Sequence, residues 1–521
     1  MADLGQSSPG KGNGQAPSWR SDLCLVLRLG WPNSVNMVLT FLPGLFMFYF
    51  LADVDEIAGA GMGFMFSNVT GFSMIIGFGA GKEPLISQAF GAGNFKRCGD
   101  LLQRQLAIHA VLLMLVTGIW IKTEDILVAC KQPAAVAALA GRFVLWRVAA
   151  LPSLALKEDL TGFLTAQRIM ILPMVASISA SIVNILGFMV LIPKFGFVGA
   201  PLAYTLANNM QALGLLLLSP CVLPEPATWP SWSMRAACRG WGEILKLALP
   251  GGVLMLCEWW GWELNLFFAG LLCEDTVAGC VDLDTFPIVA NTMVVAFMPN
   301  FGVSMAAAAL IGNALGANDP ARARRFAHLS LALAACIGGS IAFALVLFRE
   351  SWGLLFTDDP EIVGLTSRVL PTIAAYVFWD NLGPGSLVSS LRSMSVVILP
   401  AVINFVSFYL VGIPFGLVLT FKRSQEHWGI IGLWSGLVLA MFLMVIGLML
   451  HLCCRVNWHS LAESAQSAAL EGEQKVGLAE DAAKVKCKPN AVGKKSYDAV
   501  ACEDSTVDAL PEEGNLVATF S

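Results

Sequence analysis

The side chains best suited to chemistry in this sequence are carboxylates that lie inside long apolar stretches. Glu258 and Glu263 occur in LCEWWGWELN, and Asp380 occurs in YVFWDNLG. A carboxyl group in low-dielectric surroundings holds its proton more tightly than one in water, while the ionised form attracts cations. A proton and a cationic solute can therefore compete for the same oxygen atoms. We take Glu258 as the main proton- and cation-binding acid, with Glu263 and Asp380 assisting.

The residues around these acids leave two interpretations open. Tryptophans flank Glu258 on the same stretch, and aromatic faces attract organic cations by about 0.5–2 kcal/mol each. In the alternative, the tryptophans face lipid and the acids are neutral, hydrogen-bonded packing groups. Glu258 and Glu263 are separated by about 140° around a helix. One of them can therefore line a cavity while the other packs against a neighbouring helix.

Aromatic and uncharged polar side chains complete the candidate site. We assign the substrate cavity to the following residues: Asn68, Gln167, Asn184, Trp259, Trp262, Asn291 and Tyr376. For the amides, hydrogen bonds between helices are an equally good explanation. Arg147 and His109 also lie in apolar stretches, and we expect interhelical partners or snorkelling to account for them.

These residues need a membrane-spanning scaffold. Of 521 residues, 56% are hydrophobic and 13% are charged, and the mean hydropathy is +0.69. Soluble domains carry about 25% charged residues, so this composition argues against a soluble enzyme. A spanning helix needs about 20 apolar residues, whereas barrel strands need only about ten. The sequence predicts twelve helical spans, at residues 33–51, 57–81, 106–121, 143–157, 169–192, 198–223, 244–272, 286–311, 326–348, 364–386, 396–421 and 428–453.

The spans divide the chain into two halves that repeat one another. LISQAFGAGN (85–94) follows span 2 and LIGNALGAND (310–319) follows span 8, with five of ten residues identical. Each half has an even number of spans, so the halves are parallel repeats about an axis along the membrane normal. We therefore predict an all-α polytopic membrane protein with two six-helix lobes around a central cavity. Such lobes suit alternating access.

The predicted boundaries follow from these spans. Residues 1–30 form a cytosolic segment, and its first 22 residues are polar and lack the apolar region typical of a signal peptide. Residues 31–224 form the N-lobe, 225–243 an inter-lobe cytosolic linker and 244–454 the C-lobe. The polar composition of 455–521 predicts a disordered cytosolic tail. A helical partner-binding segment is the alternative for this tail.

The loop charges predict the orientation. With both ends on one side, that side collects sixteen Lys and Arg residues outside the tail, among them Lys82 and Lys157, against eight on the other. The positive-inside rule then places both termini in the cytosol.

Several other signals carry no function. The run GFGAGKEP (77–84) lacks the leading glycine and the Ser or Thr of a phosphate loop, so no ATP site follows from it. No Cys or His cluster supports a metal site. Cys273 and Cys280 lie near the loop between spans 7 and 8, and whether they pair stays open.

Four motifs resemble those of the multidrug and toxic compound extrusion (MATE) family, in its eukaryotic branch. They are LISQAFGAGN after span 2, CEWWGWE (257–263) in span 7, GNALGAND (312–319) after span 8 and GIIGLWSGL (429–437) at the start of span 12. The resemblance extends over about residues 25–455. It implies two six-span lobes that export organic cations or other amphiphiles in exchange for protons or, in some prokaryotic members, for sodium.

The resemblance also implies roles for individual residues. The span 7 acids of eukaryotic relatives match Glu258 and Glu263, a span 10 acid is similar in place to Asp380, and a cavity asparagine matches Asn68. The chain departs from the family in three ways. It lacks the acid that many prokaryotic members carry in span 1, it has Asn291 where some vertebrate members carry a further acid, and its tail lacks a thirteenth span.

We therefore expect a proton-coupled antiporter rather than an enzyme. It exports organic cations or small amphiphilic metabolites, needs no cofactor besides H⁺ as the coupling ion, with Na⁺ as the less favoured ion, and acts as a monomer with no nucleic-acid partner. The plasma membrane is the expected location, with a vacuolar or other internal membrane as the alternative. Two alternative functions are less favoured. A lipid-linked oligosaccharide flippase would need arginines that line its cavity, whereas the spans contain chiefly Arg147. A membrane-embedded transferase would need a His/Asp or paired-Asp site at a membrane face, and the sequence indicates none.

Overall fold

The computed structural model describes residues 18–51, 54–272, 281–421 and 428–470, and within these ranges the chain is helical with no β-strand. Ten segments in the described ranges are long and apolar enough to cross a membrane. One of them, 171–222, contains two long helices, and span 1 is a further helix of 29 residues. Each of the twelve predicted spans thus has its helix. Cys273 and Cys280 lie outside the described residues.

The helices of the first half extend beyond the predicted spans at several ends. Their bounds are Trp19–Met47 for span 1, Val54–Ser67, Asn68–Phe72 and Ser73–Gly79 for span 2, Phe95–Ile121 for span 3, Ala134–Arg147, Val148–Ala150 and Leu151–Ala166 for span 4, Ile171–Phe195 for span 5 and Gly199–Val222 for span 6. A further helix, Lys82–Gly91, connects spans 2 and 3.

The second half repeats this arrangement. The bounds are Trp241–Gly270 for span 7, Val281–Gly316 for span 8, Pro320–Leu347 for span 9, Pro360–Asp380, Asn381–Val388 and Ser389–Ser393 for span 10, Ile398–Phe405, Val406–Gly412 and Ile413–Phe421 for span 11 and Gly429–Cys454 for span 12. Segments of π-helix interrupt spans 2, 10 and 11. Such segments occur frequently at functional sites, because they displace side chains and free backbone groups.

The two lobes meet through equivalent pairs of spans. Span 1 packs on span 8, and span 7 packs on span 2. In the first pair, Asn33 Nδ2 donates to the Gly302 carbonyl at 3.0 Å. In the second pair, a Cβ at Gly77 would lie 2.7 Å from Gly252 Cα, so only glycine allows this approach. The pairs follow the predicted repeat.

The two copies of the repeat motif interlock at one end of this interface. A Cβ at Gly91 would overlap the carbonyl of Asn313, and a Cβ at Gly316 would overlap the carbonyl of Gln88. Gln88 and Asn313 hold the same position in their motifs, as do Gly91 and Gly316. The glycines therefore permit a symmetric backbone contact that closes the lobes against each other at this end.

Substituting Gly316 with alanine is expected to open this end of the interface. The added methyl group has no space in the closed arrangement, whereas Gly118→Ala is a matched control because no atom lies within 4 Å of its added Cβ. Pulsed-EPR distances between labels carried by unnatural amino acids at Lys96 and Ala317 should lengthen in Gly316→Ala and stay unchanged in Gly118→Ala. Unchanged distances in both variants would contradict the steric argument.

Both ends of the described chain lie at this same face, which we call the terminal face. Asp22, in the first turn of span 1, forms ion pairs with Arg322 at 3.1 Å and Arg325 at 3.4 Å at the start of span 9. The first helix therefore begins at Trp19, well inside the predicted cytosolic segment 1–30. The two arginines provide counter-charges for the buried Asp22 carboxylate within this extra helical length.

The prediction of disorder is wrong for the start of the tail. Residues 458–470 are helical. Alanines 462, 465 and 469 are buried, and Asn94 Nδ2 donates to the Ala469 carbonyl at 2.8 Å. Ala462 and Ala465 pack against a core formed mainly by helices of the second half, and Asn94 joins Ala469 to the turn between spans 2 and 3. The segment packs in this way although it contains no long apolar run. Residues 471–521 lie outside the described residues.

Candidate functional site

Glu258 and Asp380 come together in the C-lobe. Both are buried, Glu258 at 9% and Asp380 at 1% exposure, on spans 7 and 10. Their charges act on each other and on the Tyr376 hydroxyl, which lies one helical turn before Asp380. We call Glu258, Trp262, Tyr376 and Asp380 the carboxylate cluster. Two buried carboxyl groups that interact electrostatically disfavour double ionisation, so they are suited to share protons or a cation.

Aromatic side chains hold the carboxylate cluster in place. Trp262 Nε1 donates to Tyr376 Oη at 3.0 Å, which joins span 7 to span 10. The Tyr376 ring lies edge-on to Trp434 of span 12, with ring centroids 5.5 Å apart. On the other side of span 7, Tyr409 Oη of span 11 donates to the Cys257 carbonyl at 2.8 Å. Spans 10 and 11 thus fix the orientation of span 7 at Glu258, and span 12 supports the Tyr376 ring.

The π-helical segment after Asp380 shapes its surroundings. Asp380 ends the helix Pro360–Asp380, and Asn381 begins the π-helix. Asn300 of span 8 donates to the Asn381 carbonyl at 2.9 Å, which satisfies a backbone group in this irregular segment. Asp380 Oδ1 is buried and has no hydrogen-bond partner among the described residues. An acceptor left open in this way can bind a proton or a cation.

The tryptophans of span 7 face two directions. Trp259 stacks on Trp262 with centroids 6.4 Å apart and also contacts Phe72 of span 2 at 6.1 Å. Trp259 therefore reaches the interface between the lobes. Trp260 is 50% exposed on the protein surface, where a membrane protein meets lipid. Glu263 is only half-buried, and no charged group among the described residues acts on it.

A separate cavity opens in the N-lobe. It has a volume of about 650 Å³, including its opening, and residues of spans 1, 2, 4, 5 and 6 line it. Of the predicted cavity residues, Asn68 and Asn184 line it. Asn68 is the first residue of the π-helix in span 2, and Asn184 Oδ1 is buried without a hydrogen-bond partner among the described residues.

Two predicted cavity residues lie elsewhere. Gln167 caps the end of span 4, and its Nε2 donates to the Phe163 carbonyl at 3.2 Å, outside the lining of the N-lobe cavity. Its position is close to the contact that Asn313 makes with the Ala166 carbonyl, so it belongs to the terminal-face interface. Asn291 is half-buried on span 8, and no hydrogen bond among the described residues joins it to the carboxylate cluster.

Three ionisable side chains that the sequence did not single out as a set lie together in the N-lobe. Lys82 Nζ is 2.9 Å from Asp159 Oδ1, and His109 Nδ1 is 2.7 Å from Asp159 Oδ2. All three are at most 1% exposed. We call them the buried ion network. Lys82 is therefore not the solvated loop cation that the charge count assumed, and His109 has the interhelical partner expected of it. Asp159 lies just beyond the predicted end of span 4, so its burial was missed.

Arg147 and Lys157 line the N-lobe cavity as well. Both are buried, at 8% and 6% exposure, on span 4. Lys157 is therefore also not a loop residue. The sequence contained a signal for the burial of Arg147 and Lys157, since each lies within or at the end of an apolar stretch. The residues near them in space could not be assigned from sequence spacing. In the described ranges, no group of three His, Cys, Asp or Glu side chains converges to hold a metal ion.

Comparison with known proteins identifies the family of this chain. The MatE family model matches residues 32–190 and 250–418, which cover the first five spans of each half. The chain belongs to the MATE family. The two matched stretches also reproduce the internal repeat.

Individual relatives cover most of this MATE chain. It is 31% identical over 457 residues to an uncharacterized transporter of Schizosaccharomyces pombe, covering 86% of this chain and 82% of the relative. It is 28% identical over 455 residues to multidrug and toxin extrusion protein 1 of Homo sapiens, covering 86% and 77%. The crystal structure of the eukaryotic MATE transporter AtDTX14 shares the fold, with a TM-score of 0.79 and 22% identity over 87% of this chain and 99% of that one.

Proposed function

We propose that this MATE transporter exports organic cations or small amphiphilic metabolites in exchange for protons. The observation that supports this is the carboxylate cluster, where Glu258 and Asp380 are buried together beside aromatic rings. A cation bound there neutralises the pair, and protons that replace the cation do the same. Because the cation and the protons neutralise the same buried carboxylates, binding of one releases the other.

Movement of the two lobes completes the exchange. The lobes contact through equivalent helix pairs and close at the terminal face through the repeat motifs. Rocking about these pairs would expose the carboxylate cluster to one side of the membrane at a time, as in other transporters built from repeats.

We place both termini in the cytosol, and the protein in the plasma membrane as a monomer. The named relatives are transporters, and we assign no catalytic residue.

The test is uptake of labelled tetraethylammonium into vesicles reconstituted with the purified full-length protein. An outward proton gradient is expected to drive accumulation above the level in protein-free vesicles, because protons leaving the vesicle exchange for entering cations. An outward sodium gradient of equal size at uniform pH is the matched control and should drive little uptake. Accumulation with sodium and none with protons would contradict proton coupling.

A further inference from the structure

The N-lobe cavity has the opposite polarity from the carboxylate cluster. Arg147 and Lys157 line it, and none of its described lining residues is acidic. The proposed function places cation binding at the carboxylate cluster in the C-lobe and names no ligand for the N-lobe cavity. A cavity with two buried cationic side chains repels organic cations and attracts anions.

Arg147 has unused hydrogen-bonding capacity. Its guanidinium carries five N–H donors, and within the described residues its side chain donates one hydrogen bond, to Ser67 Oγ. Aromatic rings surround it, with centroids 5.1 Å away for Phe64 and 5.4 Å for Tyr204. The described residues provide no carboxylate partner. Cation–π contacts compensate part of the cost of burial but leave the N–H donors open.

Two other donors line the same cavity. Tyr204 is 7% exposed, and its hydroxyl is buried without a hydrogen-bond partner among the described residues. Lys157 Nζ lies 3.4 Å from Glu158, whose side chain is outside the cavity lining, and keeps further N–H donors. A buried donor without a partner is costly unless a ligand or water satisfies it.

We propose that the N-lobe cavity binds a carboxylate-bearing solute, with the Arg147 guanidinium, the Tyr204 hydroxyl and the Lys157 ammonium as donors. Arginine binds carboxylates through two parallel hydrogen bonds, and the aromatic rings beside it can contact an apolar or aromatic part of the same solute. The carboxylate belongs either to a free organic acid or to a zwitterion whose ammonium group is bound at the carboxylate cluster. The inference rests on the proposed transport function only for this second source.

Calorimetric titration of the purified full-length protein in detergent tests the inference without any transport step. Benzoate is the probe and benzamide, which has the same ring but no charge, is the matched control. Wild type should bind benzoate at least about tenfold more tightly than benzamide, because charge-assisted hydrogen bonds are lost with the amide. Equal affinities would overturn the proposal.

Two variants locate the site. Lys157→Gln should weaken benzoate binding by about tenfold or more, and Tyr204→Phe, which keeps the ring, should weaken it by severalfold. Lys122→Gln, at a lysine that is 67% exposed, is the control and should leave it unchanged. Melting temperatures close to wild type show that each variant is folded. Unchanged benzoate affinity in both Lys157→Gln and Tyr204→Phe would contradict the assignment.

A third titration separates the two sources of the carboxylate. Glu258→Gln should leave benzoate affinity unchanged, even if it abolishes cation uptake, so failure of the export proposal is distinguishable from failure of this one. For 4-(aminomethyl)benzoate, a loss of affinity in both Glu258→Gln and Lys157→Gln supports a zwitterionic solute. A loss in Lys157→Gln alone supports a free organic acid.

Discussion

Glu258→Gln is expected to reduce proton-driven tetraethylammonium uptake to the level of protein-free vesicles. Glutamine has nearly the same shape, but it neither ionises to hold a cation nor releases a proton. Glu258 is buried and interacts with Asp380, so the substitution removes one of the two acids that share the proton or the cation. The measurement is the initial rate of uptake at one imposed pH gradient, normalised to the amount of protein in the vesicles.

Glu263→Gln is the matched control for this result. It is the same substitution on the same helix, but Glu263 is half-buried and no charge among the described residues acts on it. We expect a smaller reduction in uptake than for Glu258→Gln. If Glu258→Gln transports as well as wild type, Glu258 does not couple protons to cations. If Glu263→Gln shows the larger loss, the coupling acid has been assigned to the wrong turn of span 7.

Asp159→Asn is expected to lower the free energy of unfolding by about 3–5 kcal/mol. Asp159 is fully buried between Lys82 and His109. The substitution leaves the Lys82 ammonium in a dry site without a counter-charge, and uncompensated burial of a charge is among the most destabilising single changes. The expected loss is measured by titration with sodium dodecyl sulfate in mixed micelles, followed by near-UV circular dichroism.

Two comparisons separate this effect from the loss of any ion-paired acid in the first half. Asp125→Asn removes the partner of Lys122, and both of these side chains are at least 67% exposed, so a loss below about 1 kcal/mol is expected. In the double variant Asp159→Asn with Lys82→Met, the unpaired charge is gone, so part of the stability should return. If the double variant is as unstable as the sum of the single ones, the Lys82–Asp159 pair does not account for the loss.

The membrane-spanning architecture could be derived from the sequence because lipid imposes it. Every backbone N–H and C=O group in the hydrocarbon layer needs a partner, so apolar stretches of sufficient length must be helical. The twelve stretches, the five identities between the motifs after spans 2 and 8, and the family motifs around Glu258 are all local in the chain. The helix bounds were less accurate at the terminal face. There, polar turns continue a helix, as at Trp19 and at Phe95.

The pairing of charged groups could not be derived in the same way. Asp159 and Lys82 are far apart in the sequence, and Arg147 and Tyr204 lie on different spans. Which helices become neighbours depends on small residues that let backbones approach, such as Gly77 against Gly252, rather than on the charged residues themselves.

The sequence by itself determined that this protein crosses the membrane many times, that its halves are copies, and that acids in spans 7 and 10 need a polar environment. The first two follow from local composition and repetition, and the third from the cost of charge in lipid. Only the tertiary structure decided that Glu258 meets Asp380 while Glu263 does not, and that the N-lobe cavity is cationic. The reason is that a span presents several faces, and its neighbours determine which face lines a cavity.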